Sequence, residues 1–335
     1  MLINQDFTQD RRKYLGGSDI GAILGVSKYK TPLDVWMEKT GKVENTATNL
    51  PIRFGHFAEE FVAQEYARAT GYQLLESQDY ITHCDHPFLI GHVDRFVVTD
   101  SESNAVHASK GGATNHLLEC KTANPFTVSQ WGEPGSDEVP LSYLAQCHWY
   151  LCLTQLARCD LAVLFGNCEF LIYRIHADRE LQNALVDKAV SFWQEHVLKD
   201  IPPAPQSTLD CQVLFKNETT GKAIEAQAGT AALIAQFSEW AEKIHHAELQ
   251  VETIKKSIME NMQDAQELTY QGQILATWKK PKPSLRFDTK RFEHEHPELV
   301  SLYQKPIQNS RRLVIKPWQD QPNEIKKQNL EEQRL

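Results

Sequence analysis

Asp94 and the tripeptide Glu119-Cys120-Lys121 carry the residue types of this sequence that are best suited to joint chemistry. Carboxylate oxygens hold hard divalent cations such as Mg²⁺, and such a cation can promote the attack of water on a phosphodiester. A lysine beside the carboxylates can orient or deprotonate that water and offset the negative charge that develops on the phosphate. Together these residues predict a metal-dependent centre for phosphodiester hydrolysis.

Two predicted strands must place these side chains together. Residues 88–99 form a β-prone run, 116–122 (HLLECKT) form a short apolar run, and the polar segment between them indicates a hairpin with a long connection. Side chains alternate between the faces of a strand, so Glu119 and Lys121 project to one side. A single strand carboxylate is more simply a solvent-facing residue or half of a structural ion pair. The joint placement of Asp, Glu and Lys among apolar neighbours favours a functional centre, because burying such charges is costly.

A helix predicted over about residues 54–70 supplies a further carboxylate. Its Glu59 shares a face with Val62 and Tyr66, which directs Glu59 toward the packed side of the helix. Glu60 falls nearer the solvent-facing side. Glu59 is therefore the better candidate for a metal ligand.

The remaining pattern predicts a mixed α/β fold. Further helices are predicted around residues 32–39 and 141–156, and two adjacent strands are predicted on either side of a turn at Gly166-Asn167. We therefore expect a central mixed sheet of about four or five strands that is flanked by helices.

A proline-bearing segment, IPPAPQST, is the best candidate for a linker. We expect residues 1–200 to form the core, and residues 208–317 to form a helical and basic segment that is packed on the core or appended to it. Residues 318–335 are polar enough to form a flexible tail. Within residues 228–264, apolar side chains recur every seven positions, which indicates a helix-packing seam. Intramolecular packing and a coiled coil both remain open for this seam.

Composition limits the class of protein but not its partner. Hydrophobic residues make up 41% and charged residues 24%, as in ordinary globular proteins. The net charge of −9 is an average over clusters such as Arg11-Arg12-Lys13, so it does not exclude a nucleic acid. The sequence has no apolar run of the roughly 20 residues that a membrane helix needs, and its first residues lack the apolar core of a secretory signal. We therefore expect no membrane association, a cytoplasmic location and free cysteine thiols.

Five segments, in this order, also resemble a known family. They are RRKYLGGSDIGAILGVSKYKTPLDVWMEKTGKV, RFGHFAEEF, GHVDR, LLECKT and YLAQCHWYL. Over about residues 9–200 the sequence resembles the YqaJ-type viral recombinases, relatives of phage lambda exonuclease in the PD-(D/E)XK nuclease superfamily. The resemblance implies a restriction-endonuclease-like core with a C-terminal helical and basic extension.

The resemblance assigns a role to each residue of the metal centre. Asp94 and Glu119 would ligate the metal, and Glu59 would complete a second metal position. The carbonyl of Cys120 would be an extra ligand, and Lys121 would be the catalytic lysine. The implied cofactor is Mg²⁺, with Mn²⁺ as a substitute, and the site would hold two ions.

Two further sets of residues match the family. Gln146 and Tyr150 match its Gln-x-x-x-Tyr helix, which helps to position the lysine and the substrate strand. Arg11 and Ser18 match the residues that hold the 5′-terminal phosphate in lambda-type enzymes, and Arg12 is an adjacent competitor for the role of Arg11.

One position departs from the family pattern. His92, two residues before Asp94, stands where the lambda-type enzymes have a small hydroxyl residue. A histidine can still donate a hydrogen bond to the phosphate.

The implied activity is a 5′-to-3′ exonuclease that acts on double-stranded DNA ends and leaves a 3′ single-stranded overhang for recombination by strand annealing. Such enzymes form trimeric rings and work with a single-strand annealing protein. One alternative is an endonuclease or repair nuclease with the same active site, and the proposed phosphate pocket favours attack at ends instead. Another is a non-catalytic DNA-binding module, which the complete set of acidic and lysine positions disfavours.

Overall fold

The secondary structure of the chain follows the predicted α/β pattern. The structure, a computed structural model, describes residues 11–43, 50–77, 79–98, 107–109, 112–305 and 310–316. Its helices are α1 (Gly17–Ile23), α2 (Pro32–Lys39), α3 (Leu50–Thr70), α4 (Leu141–Thr154), α5 (Arg179–Phe192), α6 (Thr208–Leu214), α7 (Ala228–Met262), α8 (Thr289–Glu295) and α9 (Pro297–Tyr303). Its strands are β1 (Gln73–Glu76), β2 (Ile81–Thr82), β3 (Ile90–Gly91), β4 (Arg95–Val98), β5 (His107–Ser109), β6 (Gly112–Ala123), β7 (Arg158–Phe165), β8 (Glu169–His176), β9 (Glu267–Tyr270) and β10 (Gln273–Thr277).

Five strands form the central sheet in the order β1-β4-β6-β7-β8, and the short β5 pairs with the beginning of β6. β6 and β7 run parallel, whereas the other neighbouring strands are antiparallel, so the sheet is mixed. Helix α3 packs on one face, and α1, α4 and α5 lie on the other. The predicted mixed α/β architecture, a central mixed sheet flanked by helices, is therefore confirmed.

Strand β6 carries most of the predicted site, and its side chains alternate as expected. Leu118 and Cys120 pack against α3, whereas Leu117 packs in the core on the opposite face. Glu119 and Lys121 therefore belong to the face that α4 covers. The antiparallel pairing of β4 with β6 confirms the predicted hairpin.

Two glycines allow helix α4 to lie close to α1 and β3. A Cβ atom on Gly17 would lie 2.8 Å from the ring of Tyr150, and one on Gly91 would lie 2.9 Å from the same ring. Contacts this short would displace the ring, because a packed core has little room to adjust. The two glycines therefore fix the place of Tyr150 beside the predicted site.

The chain divides into two compact units, Met1–Leu214 and Phe215–Leu335. The division falls after α6, a few residues beyond the linker that the prolines of the sequence indicate. In the second unit the structure describes α7, the antiparallel hairpin of β9 and β10, and the short helices α8 and α9. The segment predicted to be a flexible tail, residues 318–335, lies outside the described residues.

Two expectations from composition concern the state of the cysteines and the presence of a membrane helix. All seven cysteines are free, four of them buried and three exposed. Among the described residues, no helix has both the length and the apolar character that crossing a membrane would require.

Candidate active site

A buried glutamate forms the centre of the site. Glu119 has almost no exposed surface, and its Oε1 accepts hydrogen bonds from the ammonium of Lys121 and from Nε2 of Gln146, the latter at 2.8 Å. Nε2 of Gln146 also donates to the hydroxyl oxygen of Tyr150 at 3.0 Å. One hydrogen-bonded chain thus joins four residues that the sequence analysis singled out.

Asp94 lies immediately before β4 and next to β6. Its Oδ2 accepts a hydrogen bond from the backbone amide of Cys120 at 2.8 Å. Because Cys120 lies between Glu119 and Lys121 in the chain, this bond holds the Asp94 carboxylate near both. The contact uses the amide of Cys120, so the proposed role of its carbonyl as a metal ligand stays a prediction.

Arg95 ties Glu59 to the same centre. Its Nη1 donates to Oε1 of Glu59 at 2.9 Å and to the carbonyl oxygen of Asp94 at 2.6 Å. Its Nη2 donates to Oε2 of Glu60 at 2.8 Å. Glu59 is half-buried and Glu60 exposed, as the helix pattern predicts. The sequence analysis missed Arg95, although its place after Asp94 in GHVDR was a signal: alternation along β4 turns it toward α3.

The charged groups are close enough to shift one another's ionisation. Burial, followed by the charge of Asp94, raises the pKa of Glu119 to about 8, although Lys121 partly opposes this change. Burial also works against the charge of Lys121, but Glu119 and Asp94 together raise the pKa of Lys121 well above its ordinary value. The carboxylates therefore create a site that favours positive charge.

The donor atoms of this site fit a hard divalent cation. The second oxygen of Glu119, Oε2, is buried and has no hydrogen-bond partner in the part of the chain that the structure describes. A buried polar atom without a partner is costly, and a cation would satisfy it. Asp94 and Glu59 both act electrostatically on Glu119, and carboxylate oxygens are preferred ligands of Mg²⁺ and Mn²⁺. Glu119, Asp94 and Glu59 are the residues that would hold the ion, and their ligand atoms do not all lie within 4.8 Å of one another in the structure.

A cavity of about 480 Å³ opens beside these carboxylates. It brings two of the predicted metal ligands and three of the predicted phosphate-binding residues to one place, whereas Glu119, Cys120, Lys121 and Gln146 do not line it. The cavity is lined by Arg11, Ser18 and His92 of the phosphate-binding set, by Glu59 and Asp94 of the metal-ligand set, and by Tyr150 of α4. Arg12 lies outside this lining, with its guanidinium beside Gly41. The geometry therefore favours Arg11 over Arg12 as the phosphate ligand.

The wall of the cavity contains a buried ion pair that the sequence analysis missed. Oδ2 of Asp19 lies 2.7 Å from Nζ of Lys39, and Oδ1 lies 3.0 Å from Nζ of Lys30. Burial opposes ionisation, but the two lysines hold the pKa of Asp19 well below its ordinary value. Lys39 also donates to the carbonyl oxygen of Arg11 at 3.3 Å, so the pair braces the turn that carries Arg11. Asp19 and Lys39 share no helix or strand, so no periodicity in the sequence connects them.

Comparison with known proteins gives a consistent picture. The model of the YqaJ-like viral recombinase domain matches residues 6–157. The chain is 30% identical over 314 residues to the uncharacterized protein YqaJ of Bacillus subtilis (strain 168), and the match covers 92% of both chains.

Two solved structures are also similar to this chain. An alkaline exonuclease (LHK-Exo) from Laribacter hongkongensis shares 16% sequence identity, with a TM-score of 0.43 over 57% of this chain and 91% of the exonuclease. A phage-related exonuclease from Haemophilus somnus 129PT shares 13% identity, with a TM-score of 0.39 over 56% of this chain and 96% of that one. On the family model and on its identity to YqaJ over nearly its whole length, this chain belongs to the YqaJ-like viral recombinase family.

Proposed function

We propose that this protein is a metal-dependent deoxyribonuclease that digests one strand of linear double-stranded DNA in the 5′-to-3′ direction. The observation that carries the proposal is Glu119, buried with one unpartnered oxygen and held beside Asp94 and Lys121. Carboxylates and a lysine that converge in this way are costly to fold and suit phosphodiester hydrolysis. Digestion in this direction would leave a 3′ single strand for annealing, which suits a family named for viral recombination.

The residues around Glu119 would divide the catalytic work. A divalent cation bound by the carboxylates would supply Lewis-acid stabilisation of the phosphate. Because its carboxylate neighbours raise the pKa of Lys121 despite burial, its ammonium stays charged, which favours electrostatic stabilisation over acceptance of a proton. Gln146 links Glu119 to Tyr150 and would keep the carboxylate in one orientation.

The cavity beside the acidic centre supports the proposed direction of digestion. A guanidinium and a hydroxyl, from Arg11 and Ser18, suit a terminal phosphate, and His92 adds a third polar group to the same lining. A 5′-phosphate held by these residues would leave a nearby phosphodiester facing Asp94. This arrangement favours attack at DNA ends over internal cleavage.

A comparison of linear and closed circular DNA tests the assignment. In the presence of Mg²⁺ we expect complete digestion of one strand of an end-labelled linear duplex, with covalently closed circles of the same sequence left intact. Omission of Mg²⁺ with added chelator should leave both substrates intact. Cleavage of the circles at a similar rate would identify an endonuclease, and no cleavage of either substrate would reject the nuclease.

The phosphate pocket predicts a preference among DNA ends. A linear duplex with 5′-phosphates should be digested at least about tenfold faster than one with 5′-hydroxyls, since one charge-assisted contact contributes roughly 1.5–3 kcal/mol. Arg11→Ala should remove this difference, and Arg12→Ala should keep it, because the guanidinium of Arg12 lies outside the cavity lining. Initial rates on the two substrates measure the effect. Equal rates with the wild-type protein would rule out the pocket.

We extend the proposal to assembly and location. A trimeric ring around the duplex would keep the enzyme on its DNA and make digestion processive, and a single-strand annealing protein would take up the 3′ strand. The ring and the annealing protein would operate in the cytoplasm of a bacterial or phage-infected cell. One chain has a mass of 38.3 kDa. A mass in solution three times as large would support the ring, and a monomer at working concentrations would exclude it.

A further inference from the structure

The second unit exposes an apolar face along its longest helix, α7. At about 1.5 Å per residue, the 35 residues of this helix extend roughly 50 Å. Side chains spaced alternately by three and four residues form one stripe, which we call the α7 seam. The seam consists of Phe237, Trp240, Ile244, Ala247, Val251, Ile254, Ile258 and Asn261.

Within the second unit, the seam has no partner among the described residues. All of its residues are exposed, and Met262 at the end of the helix is the buried residue of α7. A helix in a protein takes most of its stability from packing of its apolar face, and a continuous exposed apolar stripe is typical of an interaction surface. The seam therefore needs an apolar partner of comparable length.

The period of the seam specifies the kind of partner. A repeat of 3.5 residues keeps a stripe on a neighbour only when helices wind around each other in a left-handed coiled coil. Ile244, Val251 and Ile258 occupy one core position of the repeat, and Ile254 occupies the other. Branched aliphatic side chains at these positions fit between the residues of a facing helix. The partner is thus another helix with the same repeat.

Charges beside the seam favour the same helix of a second copy. Lys243 and Glu248 flank the stripe on opposite sides, and Nζ of Lys243 lies at its edge, 4.3 Å from the ring centre of Trp240. In a parallel, in-register pair, Lys243 of one copy lies opposite Glu248 of the other. An antiparallel pair with the same overlap would place Glu248 opposite Glu248 of the second copy, and like charges repel.

We propose that copies of this chain associate through α7 in a parallel, in-register coiled coil along the seam. The proposal does not depend on the nuclease assignment. Of the two kinds of packing that the sequence left open, it adopts the coiled coil. The first core position carries Phe, Ile, Val and Ile, and the second carries Trp, Ala, Ile and Asn. This mixture does not set the number of strands, which the mass in solution gives.

Disulfide crosslinking of the full-length chain tests the contact and its direction. In the proposed arrangement, position 251 of one copy lies beside position 251 of the other, so V251C should form a crosslinked dimer under mild oxidation. L249C is the matched control, because Leu249 is also exposed and apolar but lies on the opposite side of the helix. V251C should crosslink at least about tenfold faster, since proximity raises the effective concentration of the thiols. The wild-type chain gives the background from its own exposed cysteines, Cys84, Cys168 and Cys211.

A second substitution distinguishes crosslinking through the seam from crosslinking through other contacts between copies. Adding Ile254→Asp to V251C should abolish the fast crosslinking, because it places a charge in the apolar seam. Adding Leu249→Asp to V251C should leave crosslinking fast, and circular dichroism should find both double variants helical. Equal crosslinking by V251C and L249C would overturn the proposal, as would fast crosslinking that survives Ile254→Asp.

Discussion

Replacement of Lys121 with alanine is expected to slow DNA hydrolysis by about 10³-fold while the protein stays folded. The ammonium of Lys121 pairs with Glu119 at the centre of the site. Its removal takes away the positive charge that would stabilise the reacting phosphate, and a preorganised group of this kind contributes about 10²–10³ in rate. The fold should survive because burial raises the pKa of Glu119 to about 8. Glu119 can therefore take up a proton instead of remaining an unpaired buried charge.

The rate of nucleotide release from a linear duplex at saturating Mg²⁺ measures this effect. Lys42→Ala is the matched control, since the half-exposed ammonium of Lys42 pairs with the exposed Asp200. The control should hydrolyse DNA at the wild-type rate, and both variants should keep the wild-type circular dichroism spectrum and DNA affinity. A folded Lys121→Ala variant that retains a tenth or more of the wild-type rate would exclude Lys121 from catalysis.

Asp94→Asn is expected to lower the rate by about 10³-fold or more at low Mg²⁺. Oδ2 of Asp94 accepts a hydrogen bond from the backbone amide of Cys120. The side-chain oxygen of asparagine can accept the same hydrogen bond, so the hairpin should remain intact. The substitution removes one negative charge from the set that would bind the cation, and neutral oxygens bind Mg²⁺ far less tightly than carboxylates. The loss should therefore come from the site and not from the fold.

A titration of Mg²⁺ at fixed DNA concentration measures this second effect. The rate of the Asp94→Asn variant should saturate at higher Mg²⁺ than the wild-type rate, or reach a lower plateau. Asp187→Asn serves as the control, because Asp187 is an exposed aspartate on α5. An Asp94→Asn titration that superimposes on the wild type would show that Asp94 is not a ligand.

The arrangement of Glu119 and Lys121 could be predicted because it follows from local geometry. Alternation along one strand places both side chains on one face, whatever the rest of the fold does. Helical periodicity likewise separated Glu59 from Glu60 without knowledge of the strands. Where a site is built by neighbours within one element, the sequence contains the necessary pattern.

Contacts between polar groups of different elements could not be predicted in the same way. Arg95 joins Glu59 and Glu60 on a helix to the backbone of Asp94, and a residue type alone does not specify such partners. The ion pair of Asp19 with Lys39 joins two helices and depends on how they pack. The family resemblance located the cavity residue Arg11, whereas local pattern gave it only as part of a basic cluster.

The fold was predictable in its class and less so in its strand order. Apolar runs at residues 158–165 and 169–176 indicated adjacent strands, and β7 and β8 pair as expected. The parallel pairing of β6 with β7 requires a crossover connection, which α4 provides. The sequence pattern predicts both strands and the helix but not which strands pair.

Direct measurement of Mn²⁺ binding, by the loss of the free-ion paramagnetic resonance signal, tests the central claim without relying on activity. We expect the wild-type protein to bind Mn²⁺, and Glu119→Gln to bind it at least about tenfold more weakly, because the substitution replaces a charged ligand with a neutral one. Glu60→Gln, which alters the exposed neighbour of Glu59 on α3, should bind like the wild type. Equal Mn²⁺ affinity in the wild type and the Glu119→Gln variant would contradict a cation held by these carboxylates.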